Sequence, residues 1–176
     1  KLILIKGTSM LKKVIPLILS IFILIVNTNP SLADTVLRGK YGDWNVFTNS
    51  ADETMCFIAS IPIKQLPTSK NWNPTFYIAK YGQNAIQPSI NAGYKYRAGT
   101  QATIKILEYT LQLDTEGQGA WLGTQEAEKI LIDAMKKGTS MVVKGESEFN
   151  TLTTDTYSLK GVTRSIQEMN KLCPTK

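Results

Sequence analysis

Histidine is absent from this 176-residue chain, and cysteine occurs only twice. Without an imidazole, no Ser-His-Asp or Cys-His relay, histidine metal site or histidine pH switch can be assembled from this chain alone. Cys-x-x-Cys spacing is missing as well, which removes the dithiol redox motif. Charged residues make up only 19% of the chain and apolar residues 43%. That balance argues against a disordered polyelectrolyte and fits one folded domain. No internal repeat or low-complexity tract interrupts it.

The basic surplus sits at the front. Lys12-Lys13 precede thirteen mostly apolar residues, Val14 to Val26, and Ser31-Leu32-Ala33 places small residues at both specificity positions of a cleavage site. This is the pattern of a secretory signal peptide. Such a stretch rises about 20 Å as a helix, short of the roughly 30 Å hydrocarbon core, and Pro16 weakens any longer helix. The expected organisation is therefore 1–33 as upstream residues and cleavable leader, with residues 1–9 preceding Met10, and 34–176 as a single domain. The product is expected to be periplasmic or secreted, with no stable membrane insertion after cleavage. Removing 1–33 takes four of the 20 basic residues and none of the 14 acids, so the charge falls from +6 to +2. No nucleic-acid footprint is expected from so even a balance.

An exported chain enters an oxidising compartment, where Cys56 and Cys173 are read as one disulfide. Closing most of the mature chain into one loop is worth roughly 5 kcal/mol in the chain-entropy account. The alternatives are a reactive thiol, for which no histidine base exists, and unpaired or intermolecular thiols.

Short alternating or continuously apolar runs separated by turn residues predict a mainly β protein. Strands are expected at Asp43 to Thr48, Met55 to Ile63, Thr75 to Tyr81, Ala85 to Ile90, Gln101 to Leu107, Tyr109 to Leu113, Met141 to Gly145 and Thr153 to Leu159. Such strands fit two packed antiparallel sheets. Leu66 to Pro74, with two prolines, reads as a loop. One amphipathic helix is predicted from Thr124 to Lys137, with Ala127, Ile130, Leu131, Ala134 and Met135 on one face. Thr124 is its expected cap, Glu126 and Glu128 lie near its positive pole, and Lys136-Lys137-Gly138 end it. A second helix from Thr163 to Leu172 places Ile166, Met169 and Leu172 on one side and Ser165 with Glu168 at capping-box spacing.

Candidate chemistry is sparse. Ser140 with Lys144, and Ser158 with Lys160, are candidate nucleophile-base pairs, and both read equally as polar strand surface. The run Gly117 to Gly123 has the wrong spacing for a dinucleotide fingerprint and reads as a turn into the helix. Asp52-Glu53 and Glu146 with Glu148 lack a cation-loop pattern and read as solvated strand ends. Of the aromatics, Trp44 and Trp121 are expected in the core, Tyr94 and Tyr96 could join a platform, and Trp72 is a candidate partner contact. Lys136, Lys137, Lys144, Lys160 and Arg164 could form a modest basic patch toward acidic polymers, with Lys144 and Lys160 as candidate contacts. No catalytic residue, cofactor or metal is expected.

Three motifs carry a resemblance. Tyr41-Gly42-Asp43-Trp44, the run Ala134-Met135-Lys136-Lys137-Gly138 leading into Met141-Val142-Val143-Lys144-Gly145, and Thr154-Asp155-Thr156-Tyr157-Ser158-Leu159-Lys160-Gly161 together resemble the invasion-associated locus B family of exported bacterial proteins. The resemblance spans Gly42 to Cys173, more loosely over 64–100. It implies an immunoglobulin-like β-sandwich with one or two covering helices, export, a link to host-cell invasion in some pathogens, and no catalytic residues to carry over. Two departures are visible: Thr48 occupies a position where some relatives have cysteine, and Glu148-Phe149-Asn150 replaces a small basic turn. The expected function is a non-enzymatic binding protein with an unknown protein or host-surface partner. A periplasmic chaperone or assembly factor, and a Ser-Lys hydrolase, are the alternatives.

Overall fold

The computed structural model describes residues 35–49, 55–81 and 85–174. The expected leader and cleavage site, and Asp52-Glu53, lie outside the described residues. In chain order the elements are β1 (Thr35–Tyr41), β2 (Trp44–Asn49), β3 (Cys56–Ser60), β4 (Lys64–Leu66), β5 (Thr75–Tyr81), β6 (Ala85–Asn91), β7 (Ala102–Ile106), β8 (Tyr109–Glu116), β9 (Gly119–Trp121), α1 (Gln125–Lys137), β10 (Ser140–Glu146), β11 (Leu152–Ser158) and α2 (Val162–Leu172).

All strand pairs are antiparallel, and the strands make one continuous 11-stranded sheet in the order β1-β2-β3-β5-β6-β9-β8-β7-β10-β11-β4. Strand β8 makes the sheet continuous: Tyr109 to Leu113 pair with β7, while Asp114 to Glu116 pair with β9. The sheet folds over on itself around a shared core. Phe76 of β5 meets Trp44 of β2 at 6.0 Å and Tyr157 of β11 at 5.8 Å between ring centroids. The Trp44 indole N–H donates to the Ser158 carbonyl at 3.0 Å, so a side chain of one half bonds the backbone of the other. The mainly β class with two helices is as expected, in the form of one folded-over sheet. The strand order does not by itself show immunoglobulin-like connectivity.

Strand β5 has the bounds read from the sequence, and α1 has the expected cap, with Thr124 Oγ1 accepting from Ala127 N–H at 3.2 Å. Its buried face comprises Leu131, Ile132, Ala134 and Met135. Other expectations need correction. Strands β1, β4 and β9 were not anticipated. The exposed edge β1 lacks a strong apolar alternation, and β4 is only three residues long beside Pro67. Strand β9 lies in the glycine-rich run, where weak strand propensity is overridden by pairing with both β6 and β8. Trp121 is consequently half-buried on the outward side of the sheet, opposite Ser89 and Asp114, rather than in the core. In α2 the cap is Gly161, and Ser165 is buried inside the helix with its hydroxyl unpartnered, so no capping box forms. Leu172 is exposed.

Two of the resemblance motifs meet in space. Asp43 N–H donates to the Lys160 carbonyl at 3.0 Å, beside the left-handed glycines Gly42 and Gly161. A Cβ on Gly161 would run into the Tyr41 carbonyl, and one on Gly42 into that of Lys160. Nearby, Cys56 and Cys173, 117 residues apart, form the expected disulfide and tie the end of α2 to β3.

Gly161→Ala is expected to cost several times more stability than Gly117→Ala, by urea denaturation. Both sites have positive φ, worth about 1–2 kcal/mol of strain, but only Gly161 also meets backbone. Equal losses would remove the packing role of that contact. Cys56→Ala with Cys173→Ala is expected to lower the thermal midpoint, with up to roughly 5 kcal/mol at stake; an unchanged midpoint would remove the structural role of the bond.

Candidate functional site

The proposed serine-lysine pairs do not assemble. Ser140 and Lys144 are four residues apart on β10, about 13 Å along the strand. Ser158 Oγ accepts the backbone N–H of Lys160 at 3.2 Å, and no lysine amine hydrogen-bonds either serine among the described residues. Glu146 is engaged by Arg97 at 2.8 Å, and Glu148 is exposed on the β10–β11 hairpin. Among the described residues no group of three His, Cys, Asp or Glu could hold a metal.

The candidate contacts separate into two places. Trp72 packs on Tyr94 at 4.5 Å between centroids, and its carbonyl accepts from Gln65 of β4 at 3.3 Å. Tyr94 in turn reaches Thr153 of β11, next to Thr154, which faces Lys144. Trp72 and Lys144 thus belong to one end of the β10–β11 hairpin. Lys160 follows the other end of β11, where Leu159 packs on Gly138 after α1. The basic patch therefore splits, with Lys144 distant from Lys136, Lys137 and Lys160. Arg164 lies 5.7 Å from the Tyr41 ring.

Beneath Trp72 lies a buried polar cluster. Thr153, Asp155 and Tyr157 alternate onto the inner face of β11. Tyr94 Oη and Thr153 Oγ1 share a hydrogen bond at 2.6 Å, and Tyr96 packs edge-on to Tyr94 at 5.1 Å. Gly145 admits both tyrosines, since a Cβ there would lie 2.6 Å from Tyr96 Cε1 and 2.7 Å from Tyr94 Oη. Burial pushes the pKa of all three phenols up, so each stays protonated. Asp155 is only 6% exposed, and no hydrogen bond or ion pair holds its carboxylate among the described residues. Desolvation pushes its pKa up to about 6.

A second surface was not anticipated. On the outward side of β2, β3 and β5, Phe47 stacks on Phe57 at 5.0 Å and Phe57 meets Tyr77 at 6.1 Å. With Asn45, Ala59, Ser60, Ile61, Thr35 and Thr75 these line an open groove of about 290 Å³ that contains no charged side chain. The signal lay in Cys56-Phe57-Ile58-Ala59, a run apolar on both strand faces where one face meets solvent.

The Asp155 shift makes stability depend on pH. Between the ordinary carboxylate range and about 6, the folded state holds a proton that the unfolded chain releases, so this group's contribution falls as pH rises through that window. Asp155→Asn is expected to be nearly neutral at pH 3.5 and to stabilise at pH 7.5 by up to about 3 kcal/mol, measured by urea denaturation. Parallel pH profiles for variant and parent would overturn this.

No family model matches the chain, and no curated protein matches it. Among solved structures, the crystal structure of invasion associated protein B from Bartonella henselae is similar, with a TM-score of 0.58 over 80% of this chain and 98% of that one. Sequence identity is 11%. At that identity, the likeness is one of fold.

Proposed function

We propose that the chain belongs with the invasion-associated locus B proteins and acts as an exported, non-enzymatic binding protein. Its partner is a polypeptide of the envelope or host surface, seated on the outward groove of β2, β3 and β5. The observation that carries this reading is the aromatic ladder Phe47-Phe57-Tyr77, which leaves apolar surface in an uncharged, open groove. Interface cores are marked by the same enrichment in aromatics and depletion of charge. The fold likeness to invasion associated protein B and the Cys56–Cys173 bond support an extracytoplasmic role. Trp72, Lys144 and Lys160, expected as partner contacts, do not line this groove, and the absence of histidine supports binding over catalysis.

A photoreactive phenylalanine at position 57 is expected to give a discrete crosslinked species in cells that export the protein, whereas the same group at Gln118, in the β8–β9 turn, gives none. Phe57→Ser is expected to abolish competition for that partner while leaving the thermal midpoint within a few degrees. Absence of an adduct at 57, or equal adducts at both positions, would overturn the groove as the binding site.

A further inference from the structure

Three of the large exposed apolar side chains come together at one end of the sheet. Phe149, 81% exposed, stands on the β10–β11 hairpin; Leu152, 75% exposed, opens β11; Leu66, 43% exposed, closes β4. Leu66 faces Thr154 across the β4–β11 ladder, which places it diagonal to Leu152 on the same outward face, about 7–8 Å away. Isolated exposed apolar residues need no explanation, whereas a protruding group of them marks a contact surface.

Cations surround this protrusion. Lys144 shares a cross-strand row with Leu66, with Thr154 between them. Lys64 lies two residues along β4, and the Lys95 carbonyl accepts Glu148 N–H at 2.8 Å beneath the hairpin. All three lysines are exposed, and none is in an ion pair among the described residues. Of the hairpin acids, Glu146 is neutralised by Arg97, leaving Glu148.

We infer that this hairpin tip adsorbs reversibly on an anionic lipid bilayer. Phe149, Leu152 and Leu66 enter the boundary between headgroups and acyl chains while Lys64, Lys95 and Lys144 meet lipid phosphates. The shape favours a bilayer over a protein groove, because the apolar side chains project from a turn, from the first residue of β11 and from a three-residue edge strand. Polyanionic sugars or nucleic acids would engage the lysines but leave Phe149 and Leu152 in water. Among the described residues no helix is long and apolar enough to cross a membrane, so the contact is peripheral. This surface is separate from the aromatic groove, and the inference does not rest on it.

Sedimentation of residues 34–176 with protein-free vesicles tests the proposal. Binding is expected to vesicles containing phosphatidylglycerol, to weaken with salt, and to be much lower on phosphatidylcholine alone. Phe149→Ser with Leu152→Ser is expected to reduce partitioning at least about tenfold at an unchanged thermal midpoint. Lys64→Gln with Lys144→Gln should reduce it about fivefold per lysine and flatten the salt dependence, while Phe57→Ser leaves it unaltered. No sedimentation with anionic vesicles, or full binding by the Phe149/Leu152 variant, would overturn the proposal. Binding confined to vesicles that contain envelope proteins would overturn it equally and assign the tip to a protein.

Discussion

The crossing of Tyr41-Gly42-Asp43 over Lys160-Gly161 is the constraint on which the rest of the molecule depends. At that point the entry to β2 meets the exit from β11, backbone against backbone, with Asp43 N–H on the Lys160 carbonyl. The crossing delivers Trp44 into the core at the height where its indole can reach Ser158. It also sets the direction in which α2 leaves, and so lets Cys173 arrive at Cys56. Two glycines with positive φ make the approach feasible, because a side chain on either would collide with the opposite main chain. A few residues thereby join the two ends of the described fold.

Much of this was legible in the sequence, for identifiable reasons. Thr75 to Tyr81 is bounded by Pro74 and by a break in its alternation, and the strand has those limits. Helix α1 announces itself through Thr124, its apolar spacing and Gly138. The motifs that carry the family resemblance turn out to be scaffold: Gly42 and Gly161 serve the crossing, and Tyr157 fills the core. What was not legible depends on long-range pairing. Gly119 to Trp121 becomes a strand only because β6 and β8 lie on either side of it. Ser165 has the right spacing for a cap, but the chain enters the helix through Gly161 instead. Asp155 could have been placed inside, since it shares a strand face with Tyr157, yet a carboxylate on a buried face runs against the usual preference.

The outward surfaces of the two sheet halves differ chemically. The β2-β3-β5 side offers stacked rings and no charge, while the β7-β10-β11-β4 side offers threonines interleaved with Lys105, Lys144 and Lys64 and ends in the Phe149 hairpin. One partner chemistry cannot satisfy both. The two faces also differ in what lies behind them, because the second backs onto the tyrosine cluster and the buried Asp155. A carboxylate without a partner there weakens the fold near neutrality, in the half that carries the protruding tip.

Strand β8, shared between both halves, has a further consequence. A sandwich of two separate sheets has four open ladders on which stray chains can template, but a single folded-over sheet has two. One of these, β4, is three residues long and is followed by Pro67, which has no N–H to donate. The other, β1, is interrupted by an irregularity between Leu37 and Gly39 and carries Arg38 and Lys40. Among the described residues, topology thus leaves few ladders open to self-propagating association, and each of the two that remain is short or irregular.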